Sequence, residues 1–172
     1  EPEGRACRCG KRGCLEAYVA HYAVAAAGAE AGLIPRCEPA SGAPERAYFE
    51  LAQLAHAGNA RAREIFEKQG RLLGQWIGNV VNLMSPQLVI LCGGPPLASD
   101  LFLPSLRQAM EQAMALPHRG EVPLVIDHQG DEIWARGAAS LVLQRVDESA
   151  EIIESVARHA FDSLNHGRRP AL

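Results

Sequence analysis

Three of the five cysteines in this 172-residue chain lie within eight positions, at Cys7, Cys9 and Cys14. Gly10 and Gly13 stand among them, and glycine permits the tight backbone reversals that bring such closely spaced side chains together. Three thiolates at the spacing C-x-C-x4-C can reach one metal ion, and zinc is the usual ion of sulfur-rich tetrahedral sites. The sequence therefore predicts a zinc-binding loop over residues 4–16 and a protein of a reducing compartment, the cytoplasm.

Four basic residues surround the cysteines and admit two interpretations. They offset the negative charge of clustered thiolates, or they form a patch that binds nucleic acid. These residues are Arg5, Arg8, Lys11 and Arg12. A reactive cysteine cluster that binds no metal is the alternative interpretation of the three cysteines. His21 is a poor candidate for a fourth ligand, because it follows Cys14 by seven positions and falls inside a predicted helix.

The composition excludes several classes of protein. Apolar residues make up 48% of the chain and charged residues 22%, a globular balance that excludes disorder throughout. The net charge of −3 argues against binding to nucleic acid through overall charge. No apolar run reaches the ~18 residues of a membrane span. Because the sequence opens at Glu1 without Met or a signal peptide, we expect a portion of a longer protein.

Helices and strands alternate in the pattern of apolar residues that follows the cysteine loop. The predicted helices span residues 15–30, 44–57, 60–84, 99–115, 132–146 and 148–166, and the predicted strands span residues 87–92 and 122–127. This order is typical of an α/β domain with parallel strands. We expect the sheet to be completed by chain that is absent here. Cys92 ends an apolar run and is predicted to be a buried, unreactive thiol.

Gly70, Gly74 and Gly78 fall four residues apart in the long predicted helix, so they share one face. Each glycine costs about 0.8–1 kcal/mol relative to alanine in a helix, which indicates close approach of another backbone. We expect tight packing of this helix on the sheet; the alternative is that the stripe leaves room for a ligand. A membrane helix pair is excluded, because polar residues such as Arg71 and Asn79 lie on the same helix.

Three stretches resemble the ROK family of repressors and sugar kinases. C-R-C-G-K-R-G-C-L-E-A-Y, at residues 7–18, is similar to the zinc signature of that family. Residues 80–94 resemble its long helix, Asn-Leu-x-x-Pro turn, strand and Gly-Gly loop, and residues 137–143 resemble its closing helix. The resemblance covers residues 1–146.

This resemblance implies the C-terminal lobe of an actin-like, ribonuclease-H-like α/β fold over residues 1–146, followed by a helix and tail over 147–172. It places the fourth zinc ligand, a His, and the catalytic Asp upstream of Glu1, so this chain alone is expected to lack kinase activity. It also implies that Glu16 contacts a sugar. From the residues alone, Glu16 is a first-turn carboxylate favoured by the helix dipole.

Gly93 and Gly94 follow a predicted strand and precede a helix, a position where α/β sheets receive ligands. The resemblance implies that this loop approaches ATP in the kinases of the family. Pro95 and Pro96 come next, and proline has no N–H to donate to phosphate. The loop therefore favours the transcriptional regulators of the family over its kinases.

The first functional hypothesis is the sugar-binding and oligomerising part of a ROK transcriptional regulator. Its ligand would be a hexose or amino sugar, and DNA would be bound only through an N-terminal domain absent from this sequence. The alternative is the C-terminal half of an ATP-dependent ROK sugar kinase. A third hypothesis is a zinc-stabilised interaction domain.

Overall fold

The computed structural model describes residues 3–36, 43–92, 98–116, 119–127 and 134–145. The elements are α1 (Glu16–Val19), α2 (His21–Glu30), α3 (Ala43–His56), α4 (Ala60–Met84), β1 (Val89–Cys92), α5 (Ser99–Ala113) and β2 (Leu124–Asp127). A further helix, α6, spans residues 134–145. The chain divides into two compact units, Glu1–His128 and Gln129–Leu172. Only α6 belongs to the second unit among these elements.

The alanine-rich segment forms two helices where the sequence predicts one over residues 15–30. Ala20 separates α1 from α2 with an extended backbone, at φ −67° and ψ 155°. Alanine favours helix at every position, so an alanine-rich run carries no signal for such a break. Gly32 ends the segment with a positive φ of 70°, which agrees with its predicted place after the helix.

Helix α4 has the predicted bounds, because both of its ends carry clear local signals. The Asn59 side chain accepts a hydrogen bond from the Ala62 N–H at 3.0 Å and caps the first turn. At the other end Ser85 adopts the left-handed conformation, with φ 44°, directly before Pro86. The chain then enters β1, which pairs in parallel with β2. The parallel pairing confirms the α/β class.

The glycine stripe of α4 packs against α5, and the expectation of packing on the sheet is wrong in that respect. A Cβ added to Gly70 or Gly74 would overlap backbone atoms of α5, and one added to Gly78 would lie 2.6 Å from the Ala113 Cβ. The two helices therefore approach to the point where a side chain on this stripe has no room. The glycine spacing predicts that another backbone lies close to α4, but it does not indicate which element that backbone belongs to.

Two groups of buried side chains form the core of the first unit. One lies among α2, α3 and the first half of α4, around Tyr48, Leu51 and Phe66. The other lies among the second half of α4, α5 and the sheet, around Val81 and Leu106. Because α4 contributes to both groups, it connects the cysteine-loop side of the unit to the sheet.

One face of the sheet contacts the second core group, through Val89, Leu91 and Ile126. The alternate residues point away from it, and Ile90 is 54% exposed. Cys92 follows the same alternation and is exposed, so its prediction as a buried thiol is wrong. Among the described residues, no helix is long and apolar enough to cross a membrane. The predicted tail over 147–172 lies outside the described residues.

Candidate functional site

The cysteine loop closes on itself as a small antiparallel hairpin. Ala6 and Arg12 form an isolated β-bridge, and the Cys7 N–H donates to the Lys11 carbonyl at 2.8 Å. Gly10 and Gly13 turn the chain with φ of 84° and 70°, a region that glycine enters without strain. The loop is therefore shaped by its glycines and its backbone hydrogen bonds.

The hairpin brings together the three cysteines that the sequence singles out. The sulfur atoms of Cys7, Cys9 and Cys14 all lie within 4.8 Å of one another, and Cys9 Sγ lies 3.6 Å from Cys14 Sγ. Tetrahedral zinc with Zn–S bonds of about 2.3 Å requires sulfur atoms ~3.8 Å apart. The donor set and its spacing therefore fit zinc. His21 lies outside this group; its ring packs against the Tyr48 ring at a tilt of 39°, with centroids 4.5 Å apart.

The thiols of Cys9 and Cys14 are shifted in opposite directions in pKa. The Lys11 backbone N–H and the neighbouring thiols hold the pKa of Cys9 below its ordinary value. The pKa of Cys14 is raised to about 11, first by its hydrogen bond to the Cys9 sulfur and then by burial. The hydrogen bond to Cys9 and burial therefore favour the neutral thiol of Cys14. A metal cation would favour the thiolate instead, since it binds that form of each ligand.

Glu16 stands at the start of α1, two residues after Cys14, and is exposed. Its Oε2 accepts a hydrogen bond from the Cys7 thiol at 3.8 Å, and its Oε1 accepts one from the Tyr22 hydroxyl at 3.4 Å. Glu16 is not among the residues whose ligand atoms cluster with the sulfurs. It is an exposed carboxylate beside the candidate metal site, and both of its oxygens have protein neighbours.

Tyr22 and Arg8 are parts of this arrangement that the sequence does not reveal as a pair. The Arg8 guanidinium lies 4.0 Å from the centroid of the Tyr22 ring. Burial and the charge of Glu16 raise the pKa of Tyr22 to about 12. The break at Ala20 determines which side chains meet here, and an alanine-rich segment conceals that break. In the sequence, only its place among the basic residues around the cysteines pointed to a role for Arg8.

A cavity of about 310 Å³ lies beside Tyr22. Arg8, Arg36 and Glu30 contribute polar groups to its wall. Guanidinium and carboxylate groups of this kind can bind hydroxyls, and the guanidinium groups can bind an anionic substituent. The cavity therefore offers room for a polar ligand beside Tyr22, whose hydroxyl donates to Glu16.

The Gly-Gly loop cannot be compared with its prediction. Gly93 and Gly94, together with Pro95 and Pro96, lie outside the described residues. The strands on which the prediction depends are described, and β1 ends at Cys92 opposite Asp127 at the end of β2. Nucleotide binding at Gly93 and Gly94 stays a prediction.

The sequence profile of the ROK family matches residues 1–145. The chain belongs to the ROK family. The resemblance carried by the cysteine loop and the Asn-Leu-x-x-Pro turn is thereby confirmed.

Relatives of this ROK chain include both regulators and kinases. It is 28% identical over 151 residues to the DNA-binding transcriptional dual regulator NagC of Escherichia coli K12, a match covering 83% of this chain and 34% of NagC. It is 26% identical over 153 residues to the glucokinase of Thermotoga maritima, covering 85% of this chain and 47% of that enzyme. The crystal structure of the ROK hexokinase from Thermus thermophilus matches with a TM-score of 0.59 at 27% identity, covering 77% of this chain and 41% of the hexokinase.

The ROK chain thus spans about a third to a half of the length of these curated relatives, 34% of NagC and 47% of the glucokinase. It is related to NagC-type repressors and to glucokinases alike.

Proposed function

We propose that this chain is the sugar-binding part of a ROK transcriptional regulator, in the C-terminal lobe of an actin-like fold. The observation that carries the proposal is the position of Glu16, an exposed carboxylate at the start of α1 that lies 3.8 Å from the Cys7 sulfur. The cysteine loop fixes the start of α1, and α1 fixes the backbone of Glu16. Sugar binding would shift the parent between two conformations and so alter the DNA affinity of an upstream domain.

Cys7, Cys9 and Cys14 would hold the zinc ion, with the fourth position taken by water or by a group outside this chain. Zinc bound there would supply structural cross-links between the two ends of the loop. The chain's own contribution is the hairpin, which brings the three sulfur atoms within 4.8 Å of one another.

Glu16 would accept hydrogen bonds from adjacent hydroxyls of the sugar. A carboxylate has about four lone-pair sites on two oxygens, so its hydrogen bond from Tyr22 leaves acceptor capacity on both oxygens. The ligand class follows from the relatives, one of which is named a glucokinase and another an N-acetylglucosamine repressor. A hexose or an amino sugar is therefore the proposed ligand, bound by a cytoplasmic homo-oligomer.

Glu16→Gln in the parent protein is expected to weaken sugar binding. Loss of a hydrogen bond to a charged acceptor costs about 1.5–3 kcal/mol, or roughly ten- to a hundredfold in affinity. Isothermal titration calorimetry with glucose, N-acetylglucosamine and N-acetylmannosamine measures the change. Glu111→Gln is the matched control, because Glu111 is an exposed carboxylate on α5. Wild-type affinity of Glu16→Gln for every sugar that the parent binds would refute the proposal.

Cys9→Ser is expected to remove most of the zinc, because serine does not replace a thiolate ligand at neutral pH. Metal analysis of the purified chain should give about one zinc per wild-type chain and a much lower content for the variant. Cys92→Ser is the matched control, since Cys92 is exposed in β1 and outside the sulfur cluster. A wild-type chain without zinc, with all three loop thiols freely reactive, would contradict the metal site.

A sugar kinase is the second candidate, and the match to the Thermotoga maritima glucokinase favours it. In that case Gly93 and Gly94 would approach ATP. We expect weak ATP binding by the parent, because Pro95 and Pro96 remove two N–H donors from the loop. Two assays distinguish the candidates: ATP-dependent phosphorylation of the three sugars, and sugar-dependent binding of the parent to DNA. Phosphorylation without any DNA binding would replace the regulator with the kinase.

A further inference from the structure

The Tyr22 side chain holds one oxygen of the proposed sugar-binding carboxylate. Its hydroxyl donates to Glu16 Oε1 at 3.4 Å. Glu16 begins α1 and Tyr22 lies in the first turn of α2, so the contact joins two helices across the break at Ala20. A continuous helix would place residues six positions apart on different faces. The break is therefore what brings the hydroxyl to the carboxylate.

Tyr22 is itself held on two sides. Helix α2 is anchored by buried residues directly after Tyr22, among them Ala23 and Val24. The Arg8 guanidinium covers the ring at 4.0 Å from its centroid, a cation–π contact. A tyrosine fixed in this way loses little freedom when its hydroxyl donates, so the hydrogen bond restricts Glu16 more than Tyr22.

The hydroxyl keeps its proton under ordinary conditions. Burial, followed by the negative charge of Glu16, raises the pKa of Tyr22 to about 12. Tyr22 therefore acts as a donor across the neutral range.

We propose that Tyr22 is a positioning residue for sugar binding, which orients the Glu16 carboxylate toward the hydroxyls of the ligand. This inference rests on the proposed function of Glu16. The side chain of an exposed glutamate samples many rotamers, and ordering it costs free energy whenever a ligand binds. Because the Tyr22 hydroxyl already holds Oε1, the Glu16 side chain loses less conformational entropy when the sugar binds. Lone pairs on both carboxylate oxygens remain available to the sugar.

The test is the sugar affinity of the parent protein carrying Tyr22→Phe, measured by calorimetry with glucose, N-acetylglucosamine and N-acetylmannosamine. Loss of one hydrogen bond should weaken binding of the best of these ligands by about three- to tenfold. Tyr18→Phe is the matched control. The Tyr18 hydroxyl accepts from the Arg5 N–H at 2.9 Å, and Glu16 is not its partner. This control should remain within about twofold of wild type.

A double-mutant cycle separates positioning from a general structural role. With Glu16→Ala already present, Tyr22→Phe should cause no further loss, because no carboxylate remains to be oriented. An equal loss in both backgrounds would assign Tyr22 a structural role and overturn the inference. Wild-type affinity of Tyr22→Phe, beside a clear loss for Glu16→Ala, would overturn the inference alone. If Glu16→Ala is harmless, or if the parent binds none of the three sugars, the proposed function fails and the inference fails with it.

Discussion

At the scale of single residues, burial changes the protonation of side chains that the sequence leaves undecided. His21 opens α2 and lies against the Tyr48 ring, with centroids 4.5 Å apart. Burial lowers the pKa of His21 below its ordinary value of 6.5, and the charge of Glu45 opposes the shift in part. His21 is thus an aromatic packing residue in its neutral form.

We expect the free energy of unfolding to decrease as the pH falls below about 6.5, because the unfolded chain then takes up a proton that folded His21 resists. The contribution is fully present above the unfolded pKa and is lost as the pH falls toward the lower folded pKa. His21→Phe keeps a ring against Tyr48 and should flatten this part of the profile, measured by urea unfolding between about pH 7.5 and about pH 5.

His56→Gln serves as the comparison, because His56 is exposed and pairs with Asp100 at 2.9 Å. It should keep the wild-type loss of stability on the acid side. The explanation is wrong if His21→Phe becomes unstable with falling pH as steeply as wild type does.

At the scale of elements, the contact between α4 and α5 depends on three glycines. Gly74 lies against the Leu106 backbone, and an added Cβ would overlap it. Asn82 completes the pairing of the two helices, since its side chain donates to the Ala113 carbonyl at 2.9 Å and accepts from the Ala115 N–H at 2.8 Å. The helices are joined by main-chain proximity along the stripe and by a side-chain amide at its end.

Gly74→Ala is expected to destabilise the chain by about 1–3 kcal/mol, because the strain of overpacking exceeds the gain in helix propensity. Chemical denaturation measures the change in midpoint. Gly137→Ala is the matched control in α6, where an added Cβ meets nothing within 4 Å. That substitution should be neutral or stabilising by up to about 1 kcal/mol. Equal changes in stability for the two substitutions would mean that α5 shifts away and accommodates the added methyl group, and they would contradict the prediction.

The sequence predicts an element well where a local signal marks it. Asn59 and Pro86 mark the ends of α4, and both bounds agree with the structure. The cysteine cluster likewise follows from spacing and interleaved glycines. The contact between Glu16 and Tyr22 does not, because it depends on an extended backbone at Ala20, a residue type that favours helix. The exposure of Cys92 was equally hidden, since an apolar run does not state how many faces of a strand are covered.

At the scale of the whole molecule, the ROK chain matches only part of the length of its relatives. It spans 34% of NagC and 47% of the Thermotoga maritima glucokinase. The exposed alternate residues of the sheet, Ile90 and Val125, are 54% and 48% exposed. Parallel sheets ordinarily have both faces covered, whereas one face of this sheet is open within the described part of the first unit.

Helix α4 is long and stiff, and it connects two distant parts of the first unit. Its 25 residues form a rod ~37 Å long at about 1.5 Å per residue, with no proline inside it. Its first half is tied to the end of α1, because the Gln69 amide donates to the Val19 carbonyl at 2.8 Å. Its C-terminal end leads through residues 85–88 into β1, whose last residue borders the Gly-Gly loop. Close backbone contact with α5 leaves the rod little freedom to bend. A tilt of α4 beside the cysteine loop would therefore displace β1 as well.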